Sequence, residues 1–285
     1  MKTIVLKLGG ELVHSPDLEV LARDLRTLVD GFNRVAIVHG GGPQATALQK
    51  TLGLETRMVA GRRFTDPPTL EVMKYVVAGQ LNVDLCARLL ANGVMPVGLH
   101  GASGHVIQAA RRPPQVMQGA GPDPVDLGLV GDVTGFNLPL LGDLFERRYV
   151  PVLACLGCDR KGQALNINGD TVASQLAGAL RADALVLVTS TPGVLRDVKD
   201  PATRIPRITR REFEAMVEDG TISGGMIPKL EESFQVLAGG AKSVVILGKV
   251  AEGDLVRAVL DPGSTGTVLV GAEPGERRSG PGEDA

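Results

Sequence analysis

Short apolar runs alternate with longer stretches of helical periodicity along most of the chain. Runs with apolar residues on both faces predict strands of a sheet that is covered on both sides. They span residues 3–8, 34–39, 94–99, 150–156, 184–189 and 243–247. Between them, apolar residues recur at helical spacing over residues 18–29, 70–90, 170–180 and 229–237. This alternation predicts an α/β fold, a three-layer αβα sandwich with a mainly parallel central sheet.

Local signals refine this outline. Ser15-Pro16-Asp17 and Asp66-Pro67-Pro68 each predict a helix start, with a capping side chain before a proline at the first helical position. Residues 105–135 are rich in Gly, Pro and Gln and interrupt the alternation. We expect hairpins there, close to a substrate site. Residues 271–285 are polar and rich in Gly and Pro, which predicts a disordered tail.

Composition excludes several classes of protein. Lysine and arginine number 30 against 32 aspartate and glutamate residues, whereas nucleic-acid-binding domains normally carry a basic excess. No apolar run approaches the roughly 18 residues of a membrane span, and the N-terminus has no signal-peptide core. Three cysteines in 285 residues cannot form a disulfide framework. We therefore expect a cytoplasmic protein with no nucleic-acid partner and no membrane partner.

Glycine is abundant, with 37 residues, and it clusters near the ends of predicted elements. A single glycine pair is typical of a tight turn. Clusters at 9–10, 40–42 and 98–104, however, follow strands, at the edge where open parallel sheets bind ligands, and a fourth at 224–225 precedes a helix. Backbone N–H groups beside helix N-termini bind anions. Since Lys7 and Lys229 adjoin two of the clusters, the pattern predicts a phosphate site.

Other familiar site patterns do not fit the sequence. The Walker A motif is absent, and the glycine pattern at 40–45 lacks the acidic residue that a dinucleotide site has about 20 residues later. The loop that follows carries Arg62 and Arg63, which favours an anionic substrate. Cys155 and Cys158 form one C-x-x-C without a second pair, and no histidine has ligand spacing. We therefore predict no metal site made by the protein alone.

Six motifs occur together in order. They are KLGG (7–10), HGGG (39–42), GRRFTD (61–66), DLGLVGDV (126–133), NINGD (166–170) and GTISGGMIPK (220–229). In this combination the chain resembles the amino acid kinase family over residues 1 to about 270. The resemblance implies the family's fold, with a substrate-binding and dimerisation lobe over 1–180 and an ATP-binding lobe over 181–270.

The resemblance also implies a role for each matching position. Lys7 and Lys229 match the lysines that stabilise the transferring phosphoryl group, and Asp170 matches the aspartate that holds them in place. The matching substrate-binding positions are Gly41, Gly42, Arg63 and Asn166. The matching nucleotide-binding positions are Gly10, Ser190, Thr191, Gly193, Leu195 and Gly225.

Within the family, the motifs are most similar to members that phosphorylate N-acetyl-L-glutamate. This implies a phosphotransferase that uses ATP and Mg²⁺ to make an acyl phosphate on the γ-carboxylate, in arginine biosynthesis. The residue types suit that chemistry, because a carboxylate nucleophile is already ionised and needs no general base. Catalysis then depends on positioning and charge neutralisation.

Departures from the family pattern leave alternatives open. Arg62 replaces a hydrophobic residue, and Ser190 and Ala102-Ser103 stand where the family has aspartates. Arg62 would suit a substrate on an acidic carrier protein, such as a carrier-linked aminoadipate or glutamate, although a solvated loop arginine is an equal explanation. A catalytically weak regulatory protein is the other alternative.

Because the first predicted strand begins at Thr3, the resemblance implies a homodimer without arginine feedback.

Overall fold

The computed structural model describes residues 1–117, 119–189, 191–197, 199–222, 226–248 and 250–271. Its strands are β1 (Thr3–Leu8), β2 (Arg34–His39), β3 (Met58–Val59), β4 (Arg62–Arg63), β5 (Pro96–Leu99), β6 (Ile107–Arg111), β7 (Gly131–Phe136), β8 (Val150–Ala154), β9 (Leu156–Cys158), β10 (Ala164–Asn166), β11 (Ala184–Thr189), β12 (Arg207–Thr209), β13 (Ser243–Gly248) and β14 (Thr267–Val270). Its α-helices are α1 (Asp17–Asp30), α2 (Gly42–Thr51), α3 (Pro67–Met73), α4 (Asn82–Ala91), α5 (Leu138–Glu146), α6 (Gly169–Ala179), α7 (Arg210–Glu218), α8 (Met226–Ala238) and α9 (Asp254–Leu260).

Eight strands form the central sheet, in the order β12-β14-β13-β11-β1-β2-β8-β5. The six strands from β13 to β5 are mutually parallel, and β14 runs antiparallel to β13. Leu6 in the middle of β1 pairs with Ile37 on one side and Val186 on the other, and all three are buried. The predicted α/β fold with a mainly parallel sheet is confirmed.

Helices cover this sheet in two groups. Helices α4 and α9 contact α1, whereas α6 contacts α8 and packs on β1. Strand β1 is buried on both faces, which is why its sequence shows no polar alternation. No helix among the described residues is both long enough and apolar enough to cross a membrane.

A smaller sheet, with the order β10-β9-β6-β7, lies beside the central one. The predicted hairpin region is present: β6 and β7 are antiparallel, with Ile107 opposite Phe136. A short hairpin of β3 and β4 places Arg62 opposite Val59. These additions carry loops and side chains towards the carboxyl ends of β2 and β8.

The structure corrects three predicted elements. The strand predicted over 150–156 is divided at Cys155, because β9 leaves the central sheet and pairs with β10. The strand predicted over 94–99 begins at Pro96. The helix predicted over 70–90 is interrupted by π-helical geometry over Lys74–Leu81.

The predicted helix starts also differ from one another. Asp66 caps α3 as expected, its Oδ1 accepting from the Thr69 N–H at 2.9 Å. Pro16 instead precedes α1, and the Ser15 hydroxyl accepts from the Asp17 N–H at 3.1 Å. The tail predicted over 271–285 lies outside the described residues, apart from Gly271.

Candidate functional site

The carboxyl ends of β1 and β2 form the centre of the candidate site. These strands are adjacent and parallel, so the turn at Gly9-Gly10 lies next to the turn at Gly40–Gly42. A Cβ atom on Gly10 would lie 2.8 Å from the Cα of Gly41. The two glycine turns therefore touch through their backbones, and a side chain between them would separate them.

An ion pair joins the end of β1 to the start of α6. Lys7 Nζ lies 3.0 Å from Asp170 Oδ1, with about a fifth of the Lys7 side chain exposed. Asp170 is fixed by the helix start, where the Asn168 side chain caps α6 and accepts from the Asp170 N–H at 2.8 Å. The NINGD motif thus supplies both the cap and the acidic partner of Lys7.

Lys229 belongs to the same group of charges. It lies in the first turn of α8 and is partly buried. Burial lowers its pKa, and Lys7 lowers it further, whereas Asp170 opposes both effects. Two lysines thus share one carboxylate in a partly desolvated place, which leaves a positive charge for an anionic ligand.

The second glycine turn leads directly into α2. Gly41 is the residue before this helix, and no side chain caps it. The first N–H groups of a helix lack intrahelical partners, so here they are free of side-chain caps and suited to an anion. A Cβ atom on Gly41 would lie 2.5 Å from Leu81 Cδ1 and 3.0 Å from Val77 Cγ2, which explains why glycine is needed.

A cavity of about 210 Å³ opens beside this turn. It is smaller than the roughly 300–1,000 Å³ of sites for drug-sized ligands, which fits a ligand of amino-acid size. Its lining comprises Gly40, Gly41, Gly42, Met58, Gly61, Arg62, Arg63, Met73, Arg112, Leu127, Val130, Cys155, Asn166, Ile167 and Asn168. All four predicted substrate-binding residues are therefore on its wall.

Arg63 is held against α2 by three hydrogen bonds. Its Nη2 donates to the Gly42 carbonyl at 3.0 Å and to the Thr46 hydroxyl at 2.7 Å, and its Nη1 donates to Gln49 Oε1. A guanidinium has five N–H donors, so two remain for a ligand after these three bonds. Burial lowers the Arg63 pKa from its usual value, but an arginine stays charged at neutral pH.

Asn166 and Cys155 complete the inner wall of the cavity. Asn166 is nearly buried, and its side-chain N–H donates to the Thr65 hydroxyl at 3.0 Å. Burial raises the pKa of the Cys155 thiol to about 11, so this thiol is neutral at physiological pH. The cysteines at 86, 155 and 158 are free, and Cys155 acts as a small wall residue rather than as a nucleophile.

The nucleotide-binding positions are only partly described. Ser190 and Gly225 lie outside the described residues. Thr191 follows β11, its carbonyl accepting from the Thr189 hydroxyl at 2.9 Å. Gly193 and Leu195 contact other parts of the C-terminal region. A Cβ atom on Gly193 would lie 2.6 Å from Thr267 Oγ1, and Leu195 forms an isolated antiparallel bridge with Arg204. The structure therefore brings Thr191, but not these two, directly to the end of β11.

Three site residues did not emerge from the sequence patterns. Arg112 lines the cavity although it belongs to none of the six motifs. Asn82 donates to the buried His39 Nε2 at 2.9 Å, and His39 Nδ1 donates to the Gly40 carbonyl at 3.0 Å, which fixes the second glycine turn. Glu232, one helical turn after Lys229, lies within electrostatic range of Asp170 and Arg62.

Comparison with known proteins supports one family. The model of the amino acid kinase family matches residues 2–248. The chain belongs to the amino acid kinase family. This match, together with the relatives named acetylglutamate kinase that are described next, confirms the predicted phosphotransferase.

Individual relatives agree with this family assignment. A protein of Anaeromyxobacter sp. (strain K) named acetylglutamate kinase is 88% identical, over 95% of this chain and 100% of its own length. An acetylglutamate kinase of Sorangium cellulosum is 58% identical, over 94% of each chain. A crystal structure of smu.665 from Streptococcus mutans has a TM-score of 0.72 at 27% identity, covering 94% of this chain and 98% of its own.

The close packing of the two glycine turns can be tested by adding a single methyl group at Gly10. Gly10→Ala should lower the free energy of unfolding by about 1–3 kcal/mol, because the new Cβ meets backbone in a packed place. Gly142→Ala is the matched control: Gly142 lies in α5 with open space around it, so alanine should raise stability by up to about 1 kcal/mol. Urea unfolding measures both, and equal effects would contradict the packing described.

Proposed function

We propose that this amino acid kinase transfers the γ-phosphoryl group of ATP to the γ-carboxylate of N-acetyl-L-glutamate. The observation that carries the proposal is the Lys7–Asp170 ion pair, with Lys229 nearby, within electrostatic range of Cys155 in the wall of an arginine-lined cavity. The name acetylglutamate kinase, given to relatives at 88% and 58% identity, supports the same substrate.

The cavity accommodates the two ends of this substrate differently. The α-carboxylate binds the free N–H donors of Arg63, and Asn166 lies on the same wall. The γ-carboxylate then lies towards the glycine turns and Lys7. Because the cavity residues all fall between 40 and 168, whereas Lys229 comes from later in the chain, we assign substrate binding to 1–180 and ATP binding to 181–270.

The transfer follows from charge placement. A γ-carboxylate oxygen attacks the γ-phosphorus of ATP, the bond to the β–γ bridging oxygen breaks, and ADP leaves. Negative charge spreads over the transferring phosphoryl oxygens, and Lys7, Lys229 and the N–H groups of both glycine turns stabilise it. Asp170 keeps Lys7 directed towards this point through their ion pair, and the ionised γ-carboxylate of the substrate needs no base.

Mg²⁺ neutralises phosphate charge when it is bound with ATP. Among the described residues, no group of three or more His, Cys, Asp or Glu side chains gathers to form a metal site. The residues present fit an ion held mainly by phosphate oxygens and water, which is the usual arrangement for Mg²⁺ at nucleotides. The protein's contribution is then the lysines and backbone N–H groups around the phosphates.

The two alternative functions receive less support. Arg62 lies within electrostatic range of Glu232 on α8, so an acidic carrier protein is not needed to account for its charge. A catalytically weak regulatory protein would not need the Lys7–Asp170 pair, which is intact. We also place the enzyme in the cytoplasm, where ATP is available and its three free cysteines would stay reduced.

An exposed apolar surface supports the predicted homodimer. Tyr75, Val83, Leu90 and Met95 are each at least half exposed, along the helical stretch 74–91 and the start of β5. Strand β5 is the last strand of the central sheet, and such an edge is usually covered. We propose that two copies bury this surface against each other. The absence of arginine feedback stays a prediction.

Phosphoryl transfer is tested with substitutions of the charged group. Lys7→Met and Lys229→Met should each reduce kcat by about 10²–10³-fold, because each removes a charge that stabilises the transition state. Lys242→Met is the matched control, since Lys242 pairs with Asp183 on the exposed surface. Trapping the product with hydroxylamine gives the rate, and N-acetyl-L-glutamate, L-glutamate, L-aspartate and an N-blocked aminoadipate identify the substrate.

Hydroxamate formed with N-acetyl-L-glutamate, lost in both lysine variants and retained in Lys242→Met, is the expected result. Turnover of the N-blocked aminoadipate alone would overturn the substrate assignment. Hydroxamate from none of the four compounds would favour the catalytically weak regulatory protein. Wild-type turnover by Lys229→Met would overturn the mechanism.

The proposed dimer is tested by sedimentation of the 29.8 kDa chain. Val83→Glu combined with Leu90→Glu should convert the dimer to a monomer, because four carboxylates would be buried without partners at the interface. Leu260→Glu is the control: Leu260 is as exposed as Leu90 but lies at the end of α9. A dimer that survives the double substitution would contradict this interface.

A further inference from the structure

Two consecutive arginines at the end of β6 have different surroundings. Arg111 is more than half exposed and pairs with Asp126 at 2.7 Å. The Arg112 side chain is only 10% exposed, and its Nε and Nη2 donate to Asp132 Oδ1 at 2.8 and 2.6 Å. Arg112 lines the substrate cavity, whereas Arg111 is not part of its wall. One arginine of the pair therefore faces a ligand site.

Asp132 uses only part of the Arg112 donor set. The two hydrogen bonds to Asp132 engage two of five guanidinium N–H groups, so three remain after this ion pair. The backbone N–H of Arg112 donates to the Val130 carbonyl at 2.9 Å, and Val130 also lines the cavity. The arginine is therefore anchored at both its backbone and its side chain, which reduces the entropy cost of binding a ligand.

The proposed substrate has three polar groups to place in this cavity. On the proposed function, the α-carboxylate binds Arg63 and the γ-carboxylate lies towards Lys7. The acetamide group remains, and its carbonyl oxygen accepts hydrogen bonds from a guanidinium. In unacylated glutamate the same position is an ammonium group, which has no lone pair to accept a hydrogen bond and is repelled by a nearby cation.

We propose that Arg112, held by Asp132, is a specificity-determining residue that binds the acetamide oxygen and disfavours substrates with a free α-amino group. This inference rests on the proposed function, because it assigns the group that Arg112 contacts. It accounts for a buried arginine in the wall of a cavity that already has Arg63 for a carboxylate. It also gives the protein a means of separating two substrates that differ only at nitrogen.

The test compares two substrates in matched variants. Arg112→Met keeps an unbranched apolar stem and removes the guanidinium with its charge, whereas Arg111→Met makes the same change outside the cavity. Calorimetric titration without nucleotide gives Kd for N-acetyl-L-glutamate and L-glutamate, and steady-state rates give kcat and KM. Arg112→Met should weaken N-acetyl-L-glutamate binding by about 10–100-fold and leave kcat within a few fold. Glutamate binding should stay the same or improve, and Arg111→Met should behave as wild type.

Other outcomes separate this proposal from the proposed function. An equal loss for both ligands, or no change in either, would overturn the role of Arg112 while leaving the kinase assignment intact. Failure of the wild-type protein to form an acyl phosphate from N-acetyl-L-glutamate would overturn the proposed function itself. If Arg112→Met does not fold, Arg112→Lys replaces it: the charge remains but the planar donor set is lost, so N-acetyl-L-glutamate binding should weaken while glutamate stays excluded.

Discussion

The pairing of Lys7 with Asp170 is the interaction on which the candidate site depends. It joins the end of β1 to the first turn of α6, two elements separated by more than half of the chain. Without Asp170, Lys7 and Lys229 would face each other in a partly buried place with no compensating charge, and burial already lowers the pKa of Lys229. On the proposed function, one carboxylate thus offsets the charge of two lysines where a phosphoryl group would pass between two anions.

The glycine turns solve a related steric problem. A site for phosphate needs several backbone N–H groups close together, which requires strands to end next to each other with nothing between their turns. Gly10 lies against Gly41, and Gly41 lies against Leu81 and Val77 from the π-helical segment. Asn82 follows that segment and fixes His39, whose side chain binds the Gly40 carbonyl. The irregular helix therefore supports the second turn from behind, as π-helical segments often do at functional sites.

Much of the fold could be predicted from sequence because its strands are short, apolar and separated by turn signals. The bounds predicted for β1, β2 and β11 agree with the structure, and the family and its kinase activity are confirmed. The division at Cys155 could not be predicted, since an apolar run does not show which of two sheets each residue joins. The π-helical stretch was equally hidden, because its apolar spacing is close to that of an α-helix.

The site divides in the same way. Lys7 and Asp170 could be predicted because each belongs to a short motif that resembles the family's, although the two residues pair with each other across the chain. Arg112, Asn82 and Glu232 belong to none of the six motifs, so the motifs did not identify them. Arg112 and Asn82 bind Asp132 and His39, and Glu232 lies within electrostatic range of Asp170 and Arg62. The surroundings of these three residues depend on the tertiary packing of the β6–β7 hairpin and the helices, which short sequence motifs do not show. The assignments of the predicted site residues to substrate and nucleotide stay predictions.

A double-mutant cycle tests the central claim most directly. It compares kcat for phosphorylation of N-acetyl-L-glutamate in wild type, Lys7→Met, Asp170→Asn and the double variant. If Asp170 acts by holding Lys7 in place, the two changes are not additive, and the double variant loses little more activity than Lys7→Met alone. Fully additive losses would show that the two residues act independently, and would contradict the account of the site given above.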